Sequence, residues 1–159
     1  MTTTPAHTGQ HRFAGSGVQK AALLFGIVFL LVGVMGFIPG VTSNLDSLEF
    51  ASHHSGALLL GLFQVSVLHN AVHLLFGLVG LMSSRGARGA KLYLIWGGIV
   101  YLLLWVYGLI VPHDSAANIV PLNAADNWLH LGLAIAMIGL GALLGRPARL
   151  SRTTTPRTL

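Results

Sequence analysis

Two stretches of this chain, Ala21 to Ile38 and Leu92 to Val111, carry no charged residue, and Asn123 to Gly145 carries only Asp126. A hydrocarbon core of about 30 Å asks for roughly 20 apolar residues at 1.5 Å per residue, so each stretch is long enough to cross most or all of one. Water inside lipid cannot satisfy backbone N–H and C=O groups, and an apolar run of this length closes its hydrogen bonds as a helix. The rest of the composition agrees: 53% of the 159 residues are hydrophobic and 8% charged, against about 25% charged in an average soluble domain. The length allows one compact unit.

The number of crossings turns on Ala71 to Met82, which alone covers only about 18 Å. Charge resolves it. All nine basic residues lie in the tails or in the segment around Arg85, Arg88 and Lys91, and all four acids (Asp46, Glu49, Asp114, Asp126) lie in the other two connections. Lys and Arg mark cytoplasmic segments, so this sorting predicts four crossings with both termini in the cytoplasm. The expected fold is all-α: a polytopic membrane protein, with helices at 20–38, 67–83, 92–111 and 124–145 forming a domain over 18–145. Residues 1–17 and the basic segment 146–159 read as disordered cytoplasmic tails, the first without the character of a cleaved secretory signal. Tyr93 and Trp96, then Trp105 and Tyr107, sit where interfacial aromatic belts are expected. The apolar patch Ala57 to Phe63 is too short to cross and is expected at the interface as a short amphipathic or re-entrant piece.

Polar residues interrupt this pattern in one place per half. At 100° per residue Ser66, His69, Asn70, His73, Gly77 and Gly80 share one helix face, and the pattern returns 57 positions on, where Asn123, Asp126, Asn127 and His130 match Ser66, His69, Asn70 and His73. The common string is Asn-x-x-His-Leu. It opens the second helix of each predicted hairpin, so the chain reads as two pseudo-repeated hairpins with both motifs at one depth in the outer half of the bundle. Ser66 and Asn123 are the N-caps, with Asp126 completing a capping box. His73 and His130 then lie about 10 Å below the helix starts, on diagonal helices from which they could face each other. Gly77, Gly80, Ala134 and Gly141 continue the same faces, and Gly26, Gly33, Gly97 and Gly98 predict close seams elsewhere.

The strings LGLFQVSVLHNAVHLLFGLVGL and VPLNAADNWLHLGLA, with four apolar spans and basic tails, resemble the bacterial, chiefly actinobacterial, four-helix membrane proteins grouped as domain of unknown function 4383. The resemblance covers residues 18–145. Ser66 stands where that family commonly has an Asn to match Asn123, which keeps the cap and loses a side-chain amide. The resemblance implies a plasma-membrane location and supplies no activity, substrate or cofactor.

Four readings of the polar layer follow. The first is structural: Ser66, His69, Asn70, His73, Asn123, Asp126, Asn127 and His130 hydrogen-bond one another and the free helix starts, pinning the outer loops in a structural or interaction role within the envelope, beside a membrane-protein partner or a second copy. The second is a cofactor site, with zinc or copper at His69, His73, Asp126 and His130, or a b-type haem between His73 and His130. The third is a pH- or metal-responsive sensor or small transporter subunit, in which His53, His54, His113 and Asp114 contribute from the loops. The structural reading is preferred, and no bound cofactor is expected. An enzyme is the fourth and weakest: there is no cysteine, no serine elbow, no intramembrane carboxylate pair and no phosphate-cradling loop. The basic residues lie at the ends of apolar spans, which fits lipid head groups and not nucleic acid.

Overall fold

The structure is a computed structural model that describes residues 14–145. Residues 1–13 and 146–159, most of the two expected tails, lie outside the described range. Four helices make up the bundle: α1 (Gly17–Met35), α2 (Val67–Ser83), α3 (Ala87–Ile110) and α4 (Ala124–Leu144). Three of them, α1, α3 and α4, are long and apolar enough to cross a membrane; α2, with 17 residues, is a shorter apolar helix.

Local chemistry sets the helix ends. Ser16 caps α1 in a box with Gln19, whose side chain takes the Ser16 N–H at 3.0 Å. Gln19 Nε2 also donates to the Ser84 carbonyl at 2.9 Å, tying the start of α1 to the end of α2. Residues 14–17 therefore belong to the fold and not to a tail. At the other end Thr42 Oγ1 donates to the Met35 carbonyl at 3.0 Å, and α1 stops there, short of Ile38. The third helix starts at Ala87, before the predicted Leu92, because Arg88 and Lys91 can ride on its first turns with their heads extended.

The architecture is all-helical, as expected, and the connection between α1 and α2 adds a small sheet to it. Ala57 to Phe63 is not a helical piece: it belongs to a three-stranded antiparallel sheet, β1 (Thr42–Ser43), β2 (Leu58–Leu59) and β3 (Phe63–Gln64), with Thr42 opposite Leu59 and Leu58 opposite Gln64. Leu60 and Gly61 turn the chain with φ of 54° and 70°, a conformation that ends any helix and suits glycine. Ala57, Leu59 and Val65 are buried against Val32 and Met35, so the sheet seals the C-terminal end of α1.

In the bundle α1 packs along α2, and α3 along α4. Glycines permit both approaches. A Cβ on Gly26 would lie 2.9 Å from the Leu81 nitrogen and 3.0 Å from the Gly77 oxygen, and one on Gly98 would lie 3.0 Å from the Ile138 nitrogen. The helices α1 and α3 also touch across the middle, where Phe29 stacks on Tyr101 at 5.4 Å. That contact leaves α2 and α4 as the separated diagonal pair. Outward faces are apolar throughout: Leu24, Leu75, Leu103 and Ile135 are all 60% or more exposed. Tyr93 departs from the expected belt. It is buried against the small Gly80, while Trp96 nearby is exposed.

Candidate functional site

On α2 the buried residues are His69, Asn70, His73, Gly77 and Gly80, the face expected from helical phase, and Ser66 above them is fully buried. On α4 they are Asp126, Asn127, His130, Ala134, Met137 and Gly141. The polar residues meet below the sheet and the α3–α4 connection, and they divide into two tiers by how they are satisfied.

The upper tier is closed. Ser66 Oγ accepts from the His69 N–H at 3.1 Å. Asn123 Oδ1 accepts from the Asp126 N–H and Asp126 Oδ2 from the Asn123 N–H, both at 3.0 Å, completing the expected capping box. The same Asp126 oxygen accepts from the Gln64 N–H of β3 at 3.0 Å, and Asn123 Nδ2 donates to the Leu62 carbonyl at 2.8 Å. One carboxylate therefore joins the start of α4 to the sheet after α1. Its Oδ2 accepts from two backbone N–H groups, so this buried carboxyl group is not left without partners.

The lower tier is open. His73 Nδ1 donates to the His69 carbonyl at 3.0 Å, which leaves its Nε2 as an acceptor in the neutral ring. His69 Nδ1, His130 Nδ1, Asn127 Oδ1 and both polar atoms of the Asn70 side chain are enclosed with no hydrogen-bond partner among the described residues. Asn70 and Asn127 hold comparable places: each amide lies where a Cβ would stand on a glycine near the end of the preceding helix, Gly36 and Gly108. The imidazoles stack, His69 on His73 at 4.6 Å and 7°, and the rings that meet across the α2–α4 diagonal are His69 and His130, 6.4 Å apart. Tyr101 lies 5.3 Å from His130, and Phe29 5.6 Å from His73.

Two cavities flank these rings. One of about 180 Å³ lies toward α3, walled by Val72, Val100, Tyr101 and Leu104 and roofed by Val120; the other, of about 90 Å³, lies toward α1, β3 and Asp126. His69, His73 and His130 line both. Their Nε2 atoms have no hydrogen-bond partner among the described residues and are not among the enclosed atoms, so they border this space. Beneath the layer the core is apolar, built on Phe29, Ala134 and Met137.

The metal-ligand candidates are only partly brought together. Parallel stacking points the nitrogens of His69 and His73 side by side and not at one centre, and the Asp126 carboxylate is held by two backbone N–H groups, those of Asn123 and of Gln64 in β3. Among the described residues no group of three or more His, Asp or Glu is placed to hold a metal ion. The rings of His53 and His54 lie 3.9 Å apart, tilted by 38°, in the loop between β1 and β2, while His113 and Asp114 are exposed; none lines either cavity.

Several contributors carry no distinctive sequence signal. Gln64 reaches Asp126 through its backbone. Asn118, buried in the α3–α4 connection, donates to the His113 and Leu122 carbonyls, and Tyr107 donates to the Ala117 carbonyl while accepting from the Ile119 N–H. These bonds hold Val120 over the larger cavity. An Asn in a loop and a Tyr near a helix end are common, and the partner that gives each its role is distant in space or is backbone.

The family model described as Domain of unknown function (DUF4383) matches residues 19–143. The chain belongs to that family. The match spans all four helices and both tiers, so the layer lies within the region that defines a DUF4383 protein. No curated protein and no solved structure matches the chain.

Proposed function

We propose that this DUF4383 protein is a four-span plasma-membrane protein with cytoplasmic termini, built from two repeated hairpins. Its upper polar tier is structural, and its lower tier binds a ligand from within the outer half of the bilayer. Sorting of basic and acidic residues supports the topology. So does α2: 17 residues span about 26 Å, and Val72, Leu75, Leu78, Val79 and Met82 form an exposed apolar face suited to lipid. The repeat is supported by matched caps at Ser66 and Asn123 and matched amide–glycine contacts at Asn70 and Asn127.

One observation carries the binding reading: His69 and His130, whose Nδ1 atoms have no partner among the described residues, both line the two cavities. Buried polar groups that serve only as structure find partners, because an unsatisfied one costs about 1 to 3 kcal/mol. Polar residues inside a membrane that lack structural partners are functional candidates. A metal is the second reading, favoured by three clustered imidazoles, and it requires ring reorientation to make their nitrogens converge. An enzymatic role is not proposed.

Stability separates the tiers. In the delipidated protein, combining His69→Leu with His130→Leu removes two orphan nitrogens and is expected to leave the unfolding midpoint unchanged or raised, as at sites kept for binding. Asp126→Ala is expected to lower it. A His pair that destabilises as much as Asp126→Ala would make the lower tier structural and overturn the binding reading.

A further inference from the structure

Three spaces adjoin one another along α3, the first two of them in the cleft between α2 and α3. Val100 walls all of them: the 180 Å³ cavity at the histidines, an apolar space of about 250 Å³ toward Tyr93 and Trp96, and a third of about 420 Å³ toward Tyr107 and Ile119. The cleft exists because α2 and α3 pack together far less than the helices within either hairpin. Its lip is exposed: Leu75 is 60%, Trp96 63% and Leu103 62% accessible. A molecule dissolved in the bilayer can reach the histidines sideways, without crossing the outer loops.

We propose that this cleft holds an apolar-tailed quinone, with its ring in the cavity at His69, His73 and His130 and its tail along α3 toward Trp96. The proposal rests on the reading of the lower tier as a binding tier and names its ligand. The size is right for a single six-membered ring: a protein cavity of about 150 Å³ accommodates benzene, and this one measures about 180 Å³. Tyr101 supplies an aromatic wall. From Tyr101 to Tyr93 the cleft runs eight residues along α3, about 12 Å, enough for the first isoprene units of a tail.

The polar atoms select the head. His69 and His130 are 9% and 3% exposed, and their enclosed Nδ1 atoms meet no acceptor. A proton is better placed on Nε2, at the cavity, than on an enclosed nitrogen with nothing to receive it. The His73 ring has the opposite polarity, since its Nδ1 proton is committed to the His69 carbonyl. Two donors and one acceptor thus border one small cavity, matching carbonyl oxygens in a quinone and a hydroxyl in its reduced form. No Lys or Arg lines any of the three spaces, so a phosphate or carboxylate head would be buried without a counter-charge.

The test uses the untagged full chain in nanodiscs of quinone-free phosphatidylcholine. Trp105→Phe and Trp128→Phe leave Trp96 as the sole indole among the three tryptophans. Titrated decylubiquinone should quench Trp96 to saturation, and His130→Leu or Val100→Phe should raise the midpoint by about tenfold or more. Val100 is 41% exposed, so filling the cleft there leaves the core intact, and Leu75→Phe blocks it from the α2 side. Linear quenching, equal in all variants, would mean partition into lipid and would overturn the proposal. Displacement of decylubiquinone by oleate or dioleoylglycerol as readily as by a second quinone would also overturn it, while leaving a binding tier that ignores the head group. Absence of saturable binding together with a destabilising His69→Leu/His130→Leu pair would remove both readings.

Discussion

Gly26→Ala and Gly98→Ala test the two seams that place the histidines. A methyl on Gly26 would stand 2.9 Å from the Leu81 nitrogen, 3.0 Å from the Gly77 oxygen and 3.1 Å from the Gly80 carbonyl carbon; on Gly98 it would stand 3.0 Å from the Ile138 nitrogen and 3.1 Å from the Ala134 oxygen. These neighbours are backbone, and no rotamer change relieves them. The helices of each hairpin must separate by several tenths of an ångström over their shared length, and overpacking of this kind costs about 1 to 3 kcal/mol. Gly132→Ala and Gly139→Ala are the controls on α4, because a Cβ at either position meets nothing within 4 Å. There alanine should be neutral or stabilising by up to about 1 kcal/mol through helix propensity. The expected gap between seam and control variants is about 1 to 4 kcal/mol, readable as the midpoint of reversible unfolding in mixed micelles followed by far-ultraviolet circular dichroism. Seam variants as stable as the controls would show that the hairpins are not held at backbone contact, and the placement of the histidines by those seams would lose its basis.

Asp126→Ala should cost about 1 to 3 kcal/mol and abolish hydrogen-exchange protection of the Gln64 amide, since that N–H donates only to the carboxylate; retained protection would refute the link between α4 and the sheet. Asn123→Ala, which removes the cap of α4 and the bond to Leu62, should cost about 0.5 to 2 kcal/mol by the same unfolding assay. Tyr93→Phe should be neutral or stabilising by up to about 1 kcal/mol, because the buried hydroxyl has no partner among the described residues; a loss of stability would reveal one. As the chain has no cysteine, single cysteines at Ser52, Ala116 and Ala87 read topology directly. A membrane-impermeant maleimide added to intact cells should label the first two and spare the third, and labelling of Ala87→Cys would overturn the four-span orientation.

What the sequence determined by itself was the set of helices and the faces that α2 and α4 bury. Apolar runs and helical phase are local properties, legible residue by residue, and α2 coincides with the 67–83 expected from charge sorting because its cap, Ser66, is local too. The small sheet escaped that reading: two-residue strands carry no periodicity, and Leu60 adopts a positive φ that its side chain does not advertise. The composition of the polar layer was legible as well, but its division into tiers was not. Whether an Asn or a His is satisfied depends on which backbone atom from a distant segment arrives beside it. Gln64 and Leu62 reach the upper tier from the sheet, and among the described residues nothing reaches the Nδ1 atoms of His69 and His130 or the Asn70 amide below. The cleft is likewise a property of packing alone, opened because glycine seams draw α1 to α2 and α3 to α4 while Phe29 and Tyr101 pin the short diagonal. Partnership and empty space are set between segments, so only the tertiary structure decided them.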